Sequence, residues 1–115
     1  MSRKSVGLSL SLNQYKEQRN KEATIVFFTA SFCGPCKTLY PAFFQMEQDA
    51  PRGLNMVIVD IPNSEEVADY CQVRVFPTFR FYHRGIHLKE MDFEGADLRR
   101  LEEGYYYLCD LIHRG

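Results

Sequence analysis

The sequence predicts an α/β domain: a central mixed sheet of four to five strands flanked by four helices. Three observations carry this. Thr24–Thr29 and Leu54–Val59 are apolar runs without alternation, as expected of strands covered on both faces. Helical patterns precede, separate and follow them. Near the end, Thr78–Tyr82 and Ile86–Met91 flank Arg84-Gly85 as a hairpin. Helices on both faces of a mixed sheet are the economical way to bury such strands.

Each element has a local reason. The first few residues can supply an initial strand. Ser11 followed by Gln14 forms a capping box for a first helix, with Leu12 and Tyr15 as its apolar positions and a fraying end near Asn20-Lys21. After the first buried strand, a helix runs from about Cys33 toward Asp49. Pro41 removes one of its hydrogen bonds and is expected to kink it. Pro51-Arg52-Gly53 is a turn into the second strand, which ends at Asp60. Asn63-Ser64 then caps a short helix through Tyr70, with Glu65 and Glu66 as a solvated acidic first turn. The hairpin follows. Asp97 caps the last helix, whose inner face is read as Leu98, Leu101, Tyr105 and Leu108.

A length of 115 residues suits one domain, 1–115, and 45% hydrophobic residues with 9 Phe and 7 Tyr suffice for a core without disulfide staples. The net charge is −1 and no block of like charge stands out, which gives no support for nucleic acid or a membrane surface as partner. Gly7 and Ser9 interrupt the apolar residues near the N-terminus, and no stretch approaches the ~20 residues of a membrane span. The expectation is a cytoplasmic protein in a compartment that keeps thiols reduced.

The chemistry concentrates at Cys33-Gly34-Pro35-Cys36, where a strand gives way to a helix. Two thiols at that spacing and place read as a dithiol that cycles through a disulfide. The unpaired N–H groups and partial positive charge of the helix start favour the Cys33 thiolate, the form that attacks disulfides. Cys36, about one turn on and inward, is placed to attack the mixed disulfide that Cys33 forms. Pro35 suits the first helical turn, where a missing N–H costs nothing. A zinc site would need two further ligands. Cys71, Cys109, His83, His87 and His113 include no second close pair, so no metal is expected. Cys71 and Cys109 read as small buried hydrophobes rather than regulatory thiols. The histidines read as edge or solvent-facing residues.

At these residues the chain resembles the thioredoxin family. Phe28, Ala30, Cys33-Gly34-Pro35-Cys36-Lys37, Pro41, Phe76-Pro77-Thr78-Phe79, Gly85 and Gly95-Ala96 fall in that family's order and spacing. The resemblance implies a thioredoxin fold and a protein disulfide reductase, with Cys33 as nucleophile and Cys36 as resolving thiol. It implies a cis Pro77 beside Cys33, although only about one X-Pro bond in twenty is cis in folded proteins. The Phe76 backbone would pair with an extended substrate segment. Phe32, Gly34, Pro35, Phe76, Pro77, Gly95 and Ala96 would form the substrate surface. Disulfide-containing proteins and an NADPH-dependent thioredoxin reductase are the implied partners. The protein is expected to act as a monomer, with no bound cofactor beyond the reversible Cys33–Cys36 disulfide.

The chain departs from the family in instructive places. Phe32 stands where Trp is usual, and the chain has no Trp. Phe27 stands where the family buries an Asp, and Ile58 where a Lys or Glu often accompanies it. Losing both polar groups together dries and tightens the core on one reading, and slows resolution by Cys36 or shifts the optimum pH on the other; both can hold. On the second view Phe27→Asp should speed turnover near neutral pH. The paired loss also motivates an alternative function, a thioredoxin-fold binding module with a vestigial dithiol. Tyr105-Tyr106-Tyr107 cannot share one helix face, so at least one is exposed; ordinary amphipathic packing is the preferred reading of the three, and a partner or dimer contact the alternative. An oxidase or isomerase of the secretory pathway fits neither the N-terminus nor the Gly-Pro pair.

Overall fold

The computed structural model describes residues 10–61 and 63–115. The candidate first strand lies outside them. The described elements run α1 (Leu12–Arg19), β1 (Ala23–Ala30), α2 (Gly34–Asp49), β2 (Leu54–Ile61), α3 (Glu65–Cys71), β3 (Thr78–His83), β4 (Ile86–His87), a 3₁₀ turn (Lys89–Met91), β5 (Phe93–Glu94) and α4 (Leu98–Arg114). The sheet order is β2-β1-β3-β4, with β5 also on β3. β1 and β2 are parallel, and β3 runs antiparallel to β1. This is the predicted mixed sheet.

Strand pleating sends alternate residues of β1 into two cores. Ile25 and Phe27 join Leu39, Phe43, Phe79, Leu101 and Leu108 beneath α2 and α4. Val26 and Phe28 join Tyr15, Val59, Val67 and Tyr82 beneath α1 and α3. Every residue of β1 is buried, which explains its unbroken apolar run. A column of rings runs through the first core: Phe27 stacks on Phe79 with centroids 4.6 Å apart, and Phe79 on Phe93 at 4.7 Å.

The capping box of α1 forms: Ser11 Oγ accepts from Gln14 N at 3.1 Å, and Gln14 Oε1 from Ser11 N at 2.8 Å. The cap of α3 differs from expectation. Ser64 occupies the cap position but its hydroxyl makes no cap bond. It accepts instead from Leu10 N at 2.9 Å, while Glu66 Oε1 accepts from Leu12 N at 3.3 Å. Side chains read as a local cap thus tie the start of α1 to α3.

The hairpin return is also shorter than expected. Only Ile86–His87 pair as a strand, and residues 89–91 form a 3₁₀ turn. Leu88 N donates to Phe81 O at 2.8 Å, and Asp92 Oδ1 accepts from Phe81 N at 3.3 Å. A carboxylate therefore substitutes for the strand neighbour at Phe81, and pairing resumes at Phe93 and Glu94. Asp92 also meets His87 Nε2 at 2.6 Å. His87 is accordingly a paired residue rather than merely an edge one.

Asp97 caps α4, accepting from Arg100 N at 3.1 Å. Leu101, Tyr105 and Leu108 face inward as expected, but Leu98 is exposed. It precedes the point where the helix meets the core. Gly104 takes an inward place instead, because a Cβ there would collide with the Phe81 ring. Tyr105 is buried and its hydroxyl donates to Met46 O at 3.1 Å, whereas Tyr106 and Tyr107 are exposed. Pro41 lies inside α2 without ending it.

Candidate active site

The dithiol sits where β1 hands over to α2. Cys33 is the N-cap of α2 in extended conformation, with Pro35 in the first turn. Its N–H donates to Ala30 O at 3.0 Å, which closes the strand-to-helix turn. Cys33 Sγ accepts from Cys36 N at 3.1 Å, so the sulfur takes the place that a Ser or Asp oxygen has in an ordinary cap. Cys33 and Cys36 are joined as a disulfide with Cα atoms 5.4 Å apart. Cys33 keeps 6% of its surface exposed and Cys36 none. Approach from solvent therefore reaches Cys33, with Cys36 behind it.

Three other segments meet the turn. The Phe76–Pro77 peptide is cis. Thr78 is the register partner of Phe28, which carries Pro77 to the sheet end that holds the dithiol. Thr78 Oγ1 donates to Val75 O at 2.6 Å and tightens this loop. Gly95 N donates to Pro77 O at 2.9 Å, and Gly95 has φ +97° with open space on its Cβ side. Phe32 is 75% exposed and meets the half-buried Phe76 edge to face, centroids 6.1 Å apart. Phe32, Cys33, Cys36, Phe76, Pro77 and Gly95 are thus gathered at one end of the sheet. Gly34, Pro35 and Ala96 are exposed beside them. The result is a mostly apolar rim around one reachable sulfur.

Beneath the rim the wall is apolar. Phe27 is fully buried against Phe79, Phe43 and Tyr40. Ile58, its register partner on β2, shares the same core. Two hydroxyls escaped the sequence reading. Thr29 Oγ1 and Tyr40 Oη lie 2.7 Å apart, bridging the end of β1 to α2. The available signal was the spacing: Tyr40 follows Cys36 by four residues and so shares its helix face.

Cys71 lies in the other core, beside Tyr15, and burial pushes its thiol up from the ordinary range. Burial likewise raises the half-buried Cys109. Neither thiol joins the site. Among the described residues no group of three or more His, Cys, Asp or Glu is placed to hold a metal ion. No helix among them is long and apolar enough to cross a membrane.

A dithiol capping a helix, one sulfur reachable and one enclosed, beside a cis-proline loop, is the site of a thiol–disulfide oxidoreductase. The thioredoxin family model matches residues 8–103. The thioredoxin of Gallus gallus is 34% identical over 100 residues, covering 87% of this chain and 92% of its own. The chain belongs to the thioredoxin family. Among solved structures, Malassezia sympodialis thioredoxin superposes with a TM-score of 0.78 at 24% identity, covering 95% of this chain and 96% of that one, a likeness of fold. Oxidized mitochondrial thioredoxin 3 of Saccharomyces cerevisiae gives a TM-score of 0.75 at 27% identity, covering 84% and 89%.

Proposed function

We propose that this protein reduces disulfides of other proteins, with Cys33 as attacking thiolate and Cys36 as resolving thiol. The difference in exposure between the two sulfurs carries this assignment: only Cys33 offers surface to a substrate. Its place as the N-cap of α2, with the Cys36 N–H directed at Sγ, favours the thiolate. Attack by Cys33 on a substrate disulfide breaks the S–S bond, forms a mixed disulfide and releases one substrate thiolate. Attack by Cys36 on Cys33 Sγ then releases the second and leaves the Cys33–Cys36 disulfide. Two electrons pass from the dithiol to the substrate.

The rim supports an extended protein segment as substrate. Phe32, Gly34, Pro35, Phe76, Pro77, Gly95 and Ala96 form the proposed contact surface, with the Phe76 backbone as a short strand partner. An NADPH-dependent thioredoxin reductase is the proposed electron donor and a monomer the proposed state. A reducing compartment, the cytoplasm, suits a chain whose Cys71 and Cys109 stay free. The test is trapping with Cys36→Ser. Mixed disulfides through Cys33 should accumulate with protein substrates. Capture of the same partners by a variant lacking both Cys33 and Cys36 would favour a binding module instead.

A further inference from the structure

Resolution requires Cys36 to attack as a thiolate. Cys36 has no exposed surface, and the core around it contains Phe27, Leu39, Phe43 and Ile58. An apolar surround disfavours the ionised thiol, so its proton needs a way out. None of these neighbours can take one.

We propose that the hydroxyl pair of Thr29 and Tyr40 accepts the Cys36 proton and relays it outward to solvent. The inference rests on the roles given above to Cys33 and Cys36. Tyr40 lies four residues after Cys36 on α2, hence on the same face. Helical side chains lean toward the N-terminus, so the Tyr40 side chain is directed along the helix face that carries Cys36. Its position is fixed from both sides. The ring packs on Phe27 at 5.5 Å and on Phe44 at 5.9 Å, and the hydroxyl is held by Thr29 Oγ1 at 2.7 Å. Thr29 is buried at the end of β1, next to the turn that begins at Ala30, while Tyr40 is only half-buried. The pair therefore runs from the enclosed core to the surface.

Each hydroxyl can donate and accept at once. As the Cys36 sulfur closes on Cys33 Sγ, its proton passes to one hydroxyl oxygen while that group's own proton moves on to its neighbour or to solvent. The Cys33–substrate S–S bond breaks, the Cys33–Cys36 bond forms, and the departing thiolate takes a proton from solvent. Protons and electrons balance with no added reagent.

The two steps separate with dithiobis(nitrobenzoate) as probe. Reduced protein releases one nitrothiolate as Cys33 attacks and a second as Cys36 resolves, both visible by stopped-flow absorbance. Tyr40→Phe keeps the ring and removes the hydroxyl. The first phase should be unchanged and the second slowed about tenfold at neutral pH, with its pH midpoint moved up by roughly one unit. Thr29→Val should act in the same direction, and Thr29→Ser should restore the wild-type second phase. The Thr29 variants decide the matter should Tyr40→Phe fail to fold. An unchanged second phase and pH midpoint in folded Tyr40→Phe, or in folded Thr29→Val, overturns the proposal. A wild-type protein with no second phase overturns the roles beneath it, a distinct failure.

Discussion

Phe27 and Ile58 are register partners on adjacent parallel strands, and both face the core that holds Cys33 and Cys36. Apolar groups thus fill both positions where the family resemblance placed a buried acid and its polar companion. The Phe27 ring contacts Phe79 at 4.6 Å, Phe43 at 5.1 Å and Tyr40 at 5.5 Å, so it is a central packing element. Restoring the acid alone would remove that ring and bury a carboxylate among aromatics. Phe27→Asp should cost about 3–5 kcal/mol from the lost ring, with the buried carboxylate adding to it. Its urea midpoint should fall sharply. A midpoint within experimental error of wild type would show that the ring column does not hold the fold. Faster turnover near neutral pH is expected only from the fraction of this variant that remains folded.

Gly104 lets α4 approach the sheet. In an exposed helix, Gly→Ala gains about 1 kcal/mol from helix propensity. Here the added Cβ meets the Phe81 ring. Overpacking of this kind costs roughly 1–3 kcal/mol. Gly104→Ala should therefore destabilise the protein in a denaturant titration, and a stabilised variant would contradict the packing described.

Stability should decline in alkali. Burial raises the Tyr15 and Tyr82 phenols, whose oxygens lie 2.7 Å apart, and the Cys71 thiol beside them. Tyr105 is pushed up to about 12, again chiefly by burial. The unfolded chain releases these protons near the ordinary values, about 8.5 for a thiol and about 10 for a phenol, while the folded chain retains them. Above that range the unfolded state binds fewer protons, so unfolding free energy falls as pH rises. The contribution is complete below about pH 8 and is lost above it. Urea titrations should show this decline, and Tyr15→Phe should make it shallower. A wild-type protein equally stable at neutral pH and well above pH 10, or a Tyr15→Phe slope unchanged from wild type, would contradict it.

The two free cysteines should differ in reactivity. With Cys33–Cys36 oxidised, both should alkylate more slowly than free cysteine, since burial raises both thiols. Half-buried Cys109 should react ahead of buried Cys71. Mass spectrometry of a timed iodoacetamide reaction reads the order. Cys71 labelled first would mean that the core around Tyr15 opens more readily than its burial indicates.

Much of this architecture is legible in the sequence, because its signals are local. The Ser11–Gln14 box, the apolar runs of β1 and β2, and Cys33 at a helix start each need only neighbouring residues. The cis Phe76–Pro77 peptide came from family resemblance, since no local pattern dictates it. What escaped depends on partners distant in sequence. Ser64 is diverted from capping by Leu10, and the hairpin return is shortened where Asp92 takes up Phe81 N–H. Leu98 fits the helical period but lies before α4 reaches the core, and Gly104 faces inward because Phe81 is there. The Thr29–Tyr40 pair joins a strand to a helix, and only the fold brings those hydroxyls together.

Reduction of a model protein disulfide tests the account most directly. Reduced wild-type protein should cleave it in repeated turnovers when NADPH and a thioredoxin reductase are supplied, with NADPH oxidation as the readout. Cys33→Ser, folded to wild-type stability, should return the rate to background. A wild-type rate at background with a dithiol reductant as well, or a Cys33→Ser variant that keeps the wild-type rate, would contradict the assignment of Cys33 as the attacking thiol of a disulfide reductase.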